Sequence, residues 1–263
     1  MSEIRLYVFK TGDLHSTIGA IKMNHGKDPF HFPVPWFLIT HPKGNVVIDG
    51  GNAKEVVDDA RGYWGDVVDA YRPVMERSEN CVDQAASVGV QSKDVRYVLQ
   101  SHLHLDHTGA VGRFPNATHV VQRSEYEYAY TPDWFSAPAY IRKDFDRPGL
   151  KWLMQEGRTQ DDFDLYGDGV IRTIFTPGHA VGHQSFLITL PKSGPVLLTC
   201  DATYTQDHWE DKALPGFMVS AVDTVRSVQK LRVIAERIGA QVIVGHDSAG
   251  FDKLRHAPTA YYD

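Results

Sequence analysis

Cysteine is scarce. Cys81 and Cys200 are the only two in 263 residues, far apart and in apolar surroundings, which excludes a disulfide framework and suits buried reduced thiols. Positive charge is not in excess either. Lys and Arg total 27 against 33 Asp and Glu, a formal net charge of −6, which leaves no basic footprint for nucleic acid and no polybasic patch for a membrane. No apolar run approaches the ~20 residues needed to span a bilayer. The first ten residues, M-S-E-I-R-L-Y-V-F-K, read as a strand rather than a leader, so a cytoplasmic location is expected. No glycine-rich phosphate loop follows a predicted strand, which argues against dinucleotide and P-loop folds. No linker or internal repeat divides the chain, so residues 1–263 are expected to form a single domain.

What is present is an ordinary core composition, 42% hydrophobic and 23% charged, with strands and helices interleaved. Strands are predicted at Ile4–Phe9, Val95–Leu99, Ala117–Gln122, Val170–Thr176, Ser185–Leu190, Val196–Thr199 and Gln241–Val244. Trp36–Thr40 and Asn45–Ile48 read as a hairpin around His41-Pro42-Lys43-Gly44. Helices are predicted at Val67–Glu79, at Cys81–Val88 closed by Gly89, at Ser124–Tyr130 with a serine cap, and at Ala221–Ile238. Pro29 to Pro35 reads as an aromatic loop, either plain surface or folded over a pocket. Residues 131–156 read as an insertion of short helices and loops near the site. Two halves of similar strand order fit an α/β (α+β) fold, an αββα sandwich of two mixed sheets with helices outside.

Histidine is in surplus, at 13 residues, and several follow a predicted strand. S-H-L-H-L-D-H-T-G-A from Ser101 to Ala110 puts His102, His104, Asp106 and His107 directly after the strand Val95–Leu99. Alternation turns His102 and His104 to one side, and the bend at Asp106-His107 turns the next pair toward a neighbouring position. His179, Asp201 and His246 follow three further strands. Five histidines and two aspartates exceed the about four ligands of one zinc ion. They suit two ions bridged by one carboxylate, for which Asp201 is the natural choice. Nitrogen and oxygen donors without cysteine fit two Zn2+, with Mn2+, Co2+ or Fe2+ also admissible. Asp49, in Asp49-Gly50-Gly51, is expected to turn the chain or support a ligand rather than bind metal, and His183 to stand behind the ligands.

These motifs, H-L-H-L-D-H, T-P-G-H at Thr176–His179, D-A-T-Y at Asp201–Tyr204 and G-H-D at Gly245–Asp247, resemble the metallo-β-lactamase superfamily. Within it the chain is similar to the quorum-quenching N-acyl-homoserine lactonases and the γ-butyrolactone hydrolases. N-H-G at Asn24, S-E-Y-E-Y-A-Y and D-H-W-E-D-K-A-L-P-G-F carry that likeness along the chain. The resemblance implies one metal on His102, His104 and His179, a second on Asp106, His107 and His246, and Asp201 between them. It implies Tyr204 against the substrate carbonyl or leaving oxygen, Asp106 as a proton carrier as well as a ligand, and a small-molecule lactone opened by hydroxide held between the metals. It also allows a homodimer. Leu105 departs from the aromatic residue some lactonases carry there, which leaves the ring-binding wall open. The same ligands serve glyoxalase II-like thioesterases, 4-pyridoxolactonase and iron-dependent oxidoreductases.

Overall fold

The computed structural model, which describes residues 3–263, contains two mixed sheets face to face. The larger is built from β1 (Arg5–Thr17), β2 (Pro29–Thr40), β3 (Asn45–Ile48), β4 (Arg72–Val74), β5 (Val95–Leu99), β6 (Thr118–Gln122) and β7 (Lys151–Gln155). Its order is β4-β1-β2-β3-β5-β6-β7. The smaller holds β8 (Asp162–Asp164), β9 (Ile171–Phe175), β10 (Gln184–Leu190), β11 (Gly194–Cys200) and β12 (Gln241–Val244), in the order β12-β11-β10-β9-β8. No helix among the described residues is long and apolar enough to cross a membrane.

Period-two alternation assigns each face. Leu6, Val8, Phe37, Ile39, Val46 and Ile48 point inward against Phe186, Ile188, Val196 and Leu198 of the smaller sheet. Their neighbours Tyr7, Phe9, Trp36, Leu38 and Val47 point outward and are covered by Cys81 and Ala85 of the helix Cys81–Ser87. Leu187 and Leu197 on the far face of the smaller sheet meet Leu231 and Ala235 of the helix Ala221–Ile238. The result is the expected αββα sandwich. Each fully buried aliphatic or aromatic side chain in these layers contributes about 1.5–3 kcal/mol.

Several boundaries differ from expectation. Pro29–Pro35 is not a loop but the first half of β2, paired with a β1 that runs on to Thr17 past a register shift between Lys10 and Asp13. β2 meets β3 only from Phe37 onward, and Pro29, Pro33 and Pro35 share one parity, so their missing N–H groups can all face the unpaired side. Val67–Glu79 is not a helix. It forms a 3-10 turn at Gly65–Asp69, then β4 with Pro73 paired to Leu14, then a second turn at Arg77–Glu79. A proline cannot donate the helical hydrogen bond, and an unpredicted helix, Val56–Trp64, precedes the segment. The helix at 123–130 begins at Arg123 with no side-chain cap, so Ser124 lies inside it. Within residues 131–156, Lys151–Gln155 is a strand, β7, added parallel to β6.

His119 on β6 is buried, and its Nε2 accepts from the Gly112 amide at 3.0 Å. Burial pushes its pKa down from 6.5 to about 4, with the Lys151 carbonyl opposing weakly. Between these values the unfolded chain takes up a proton that the folded chain refuses. Stability from this group is therefore full above pH 6.5 and is lost as pH falls toward 4. Urea unfolding of His119→Gln between pH 7 and pH 4.5 should show a shallower loss than the parent, by on the order of 3 kcal/mol at most. Parallel curves would mean that His119 does not titrate in this way.

Candidate metal centre

Parallel pairing explains why the candidate ligands converge. β3 and β5 run parallel, as do β11 and β12, and β9 is antiparallel to β10, which is antiparallel to β11. The C-terminal ends of β3, β5, β9, β11 and β12 thus share one edge, carrying Asp49, the His102–His107 loop, His179, Asp201 and His246. The loop after β5 turns tightly because glycines let backbones touch. A Cβ at Gly109 would stand 2.5 Å from the Gly50 oxygen and 2.6 Å from those of Asn52 and Gly51.

All seven expected ligands lie in one buried cluster. His179 Nε2 is 3.1 Å from His102 Nε2 and 2.9 Å from His104 Nδ1. Asp201 spans the cluster. Its Oδ2 lies 3.3 Å from His179 and 3.8 Å from His102, while its Oδ1 lies 3.2 Å from His246 and 3.4 Å from His107. Asp106 approaches His107 and His246 at 3.7 Å. Three groups could each hold an ion: His102, His104 and His179; His102, His107 and Asp201; and Asp106, His107 and His246.

The donors fit divalent cations. His107 Nε2 and Asp201 Oδ1 are buried with no hydrogen-bond partner, a costly state for polar atoms with nothing to bind. Burial, reinforced by the neighbouring imidazoles, holds His102 and His104 well below the usual histidine pKa, so their lone pairs are free to ligate. At His107 burial also lowers the pKa, but Asp201, Asp106 and Asp49 together raise it well above normal. The carboxylates demand a cation at that point. Burial opposes ionisation of Asp201, yet His107, His246 and His179 hold its pKa well below the carboxylate range.

Apart from His104 Nε2, which is buried without a partner, the remaining ring nitrogens are held from behind, which fixes ring orientation. His107 Nδ1 meets Asp49 Oδ2 at 2.8 Å, and His246 Nδ1 meets the Pro33 carbonyl at 2.9 Å. His102 Nδ1 is 2.9 Å from Ser101 Oγ, which itself donates to Asp49 at 2.8 Å. Asp49 therefore supports ligands, at a left-handed φ of 64°. His183 also stands behind the cluster, its Nε2 accepting from the Asp201 amide at 3.1 Å. Tyr204 places its hydroxyl 3.1 Å from His179 Nδ1. Ser101 and Glu125 were not singled out from sequence. Glu125 is fully buried and accepts from the Leu103 and Gly182 amides at 3.1 and 3.0 Å, and a glutamate in a tyrosine-rich helix gives no signal of that.

A cavity of about 240 Å³ opens onto this edge. Its walls are Leu14, Ile21, Phe32, Leu105, Phe135 and Phe217, with Asp106, Asp201, His246 and Tyr204 at its polar end. Phe32 contributes from β2, so the aromatic segment around Pro29–Pro35 does cover a pocket, as a strand.

The metallo-beta-lactamase superfamily profile matches residues 30–246. An N-acyl homoserine lactonase AttM of Azorhizobium caulinodans is 61% identical over 264 residues, covering 100% of both chains. AttM of Agrobacterium fabrum is 60% identical over 262 residues, 99% of this chain and 100% of that one. A solved N-acyl homoserine lactone hydrolase with the product N-hexanoyl-L-homoserine at its catalytic metal centre is 27% identical, with a TM-score of 0.87 over 99% of this chain and 100% of that one. Full-length identity at this level, on a shared double-sheet scaffold, makes this chain a member of the metallo-β-lactamase superfamily and, within it, of the N-acyl homoserine lactonases.

Proposed function

We propose that this chain, working as a single unit, hydrolyses the ester of lactones, N-acyl homoserine lactones and γ-butyrolactone, at a pair of zinc ions. The observation that carries the reading is the cavity: an apolar chamber ends on the ligand cluster, and no Lys or Arg among the described residues lines it. That suits a neutral cyclic ester and supplies no side-chain cation for a phosphodiester. His102, His104, His179 and Asp201 Oδ2 would hold one ion, and Asp106, His107, His246 and Asp201 Oδ1 the other. When bound, the pair supplies Lewis acidity toward the ester carbonyl and lowers the pKa of water toward neutrality.

The chain's own groups do the rest. Tyr204 donates its hydroxyl to the ester oxygen that gains negative charge. Burial and the nearby carboxylates push the Tyr204 pKa well above normal, so the phenol keeps its proton at neutral pH. The bond between carbonyl carbon and ring oxygen breaks, the water oxygen ends in the new carboxylate, and Asp106 carries a water proton to the departing ring oxygen. The apolar walls exclude bulk water. Two buried free thiols, Cys81 and Cys200, support a cytoplasmic location.

Metal analysis with pH-stat assays of γ-butyrolactone and of short- and long-chain N-acyl homoserine lactones tests the reading. Hydrolysis of a thioester with no lactone opened would overturn it. Tyr204→Phe should lower kcat by about 10²–10³-fold with metal content unchanged. Full kcat in that variant would remove the phenol from the chemistry.

A further inference from the structure

The polar inventory of the cavity is short. Apart from His104, Asp106, His179, Asp201 and His246, only Tyr204 and Tyr71 among the described residues line it with a hydrogen-bonding side chain. The Tyr204 hydroxyl is engaged beside His179 Nδ1 at 3.1 Å. The Tyr71 ring packs with Leu14, Phe32 and Leu105, and its hydroxyl has no hydrogen-bond partner among the described residues. Asp106 and Asp201 join burial in raising its pKa, so the phenol is a donor and senses the carboxylates across the chamber. Its backbone is fixed on both sides. The Tyr71 amide donates to the Val67 carbonyl at 2.9 Å, and the next residue starts β4, paired to β1 from Asp13 to His15.

An N-acyl homoserine lactone brings three polar features: the ester carbonyl, the ring oxygen, and an amide on the carbon beside that carbonyl. The metal edge, Tyr204 and Asp106 serve the first two. Burying the amide among Leu14, Phe32 and Leu105 without a partner would cost the full desolvation of its carbonyl. We propose that the Tyr71 hydroxyl donates to that amide carbonyl, making Tyr71 the residue that distinguishes an acylamino lactone from a bare ring. The assignment rests on the lactonase reading above.

Tyr71→Phe keeps the ring and its packing and removes one oxygen. The KM for an N-acyl homoserine lactone should rise roughly three- to tenfold with kcat little changed. For γ-butyrolactone, which has no amide, kcat/KM should stay within about twofold. Calorimetry should show the ring-opened N-hexanoyl-homoserine binding the variant more weakly by the same factor as the KM rise, and an unchanged melting temperature would show that the fold is intact. Equal losses on both lactones, or no loss on either, would overturn the Tyr71 assignment and leave the lactonase reading standing. A parent chain that opens neither lactone would overturn both.

Discussion

Asp201→Ala should abolish lactone opening, with kcat/KM falling by about a thousandfold or more, and should lower bound metal from two ions per chain toward one or none. The reason is the position of its two oxygens. Oδ2 faces His179 at 3.3 Å and Oδ1 faces His246 at 3.2 Å, so one side chain completes both candidate sets. Alanine takes an oxygen from each and leaves five imidazoles around a volume with one fewer negative charge. The pKa values of His107 and His246 are raised chiefly by this carboxylate, against burial. Without it, the anionic character that draws a cation to the second set falls mainly to Asp106. Asp201→Asn should be milder in metal content than in rate, since an amide oxygen still reaches one set but carries no charge. Elemental analysis beside pH-stat rates checks both statements. Two ions and full activity in the alanine variant would end the bridging assignment.

How far the sequence reaches can be judged from particular residues. Val95–Leu99, Asn45–Ile48, Gln241–Val244 and Ala221–Ile238 are found at their expected bounds, because each is a run whose own periodicity matches its burial. The donors were legible for the same reason: polar residues crowded onto the end of an apolar strand are conspicuous. Val67–Glu79 misled because its apolar spacing suits a helix, whereas its structure is settled by partners far away in sequence, Asp13 to His15 on β1. β7 is a short edge strand whose parallel pairing to β6 is likewise not local, whereas β8 pairs locally with β9 but at three residues is too short to show a period. Asp49 was readable only as a turn or a support, since its contact with His107 crosses 58 positions. Glu125 was not readable at all, because nothing in S-E-Y-E-Y-A-Y shows which of two glutamates is buried: Glu125 is inside and Glu127 is exposed.

That buried glutamate carries the largest expected effect on stability. Glu125 joins the two loops that bear the first set of candidate ligands. Its Oε1 accepts from the Leu103 amide at 3.1 Å and from the Tyr140 hydroxyl at 3.0 Å, and its Oε2 accepts from the Gly182 amide at 3.0 Å. Leu103 stands between His102 and His104, and Gly182 lies three residues after His179. Burial pushes the Glu125 pKa up, and the three donors pull against that, so the carboxyl is held by its partners rather than by a counter-charge. Glu125→Ala strands two backbone amides and a phenol in a dry interior and opens a cavity. The expected loss is about 3–5 kcal/mol, or on the order of 10 °C in melting temperature for a chain of this size. Because the loops then relax, metal affinity should fall by roughly 10- to 100-fold. Glu125→Gln is the finer probe. Its amide oxygen can still serve two donors, but its NH2 must face the third, so an intermediate loss is expected. Calorimetric melting with metal titration measures both quantities, and an alanine variant that melts and binds like the parent would show that these loops hold their shape without the clamp.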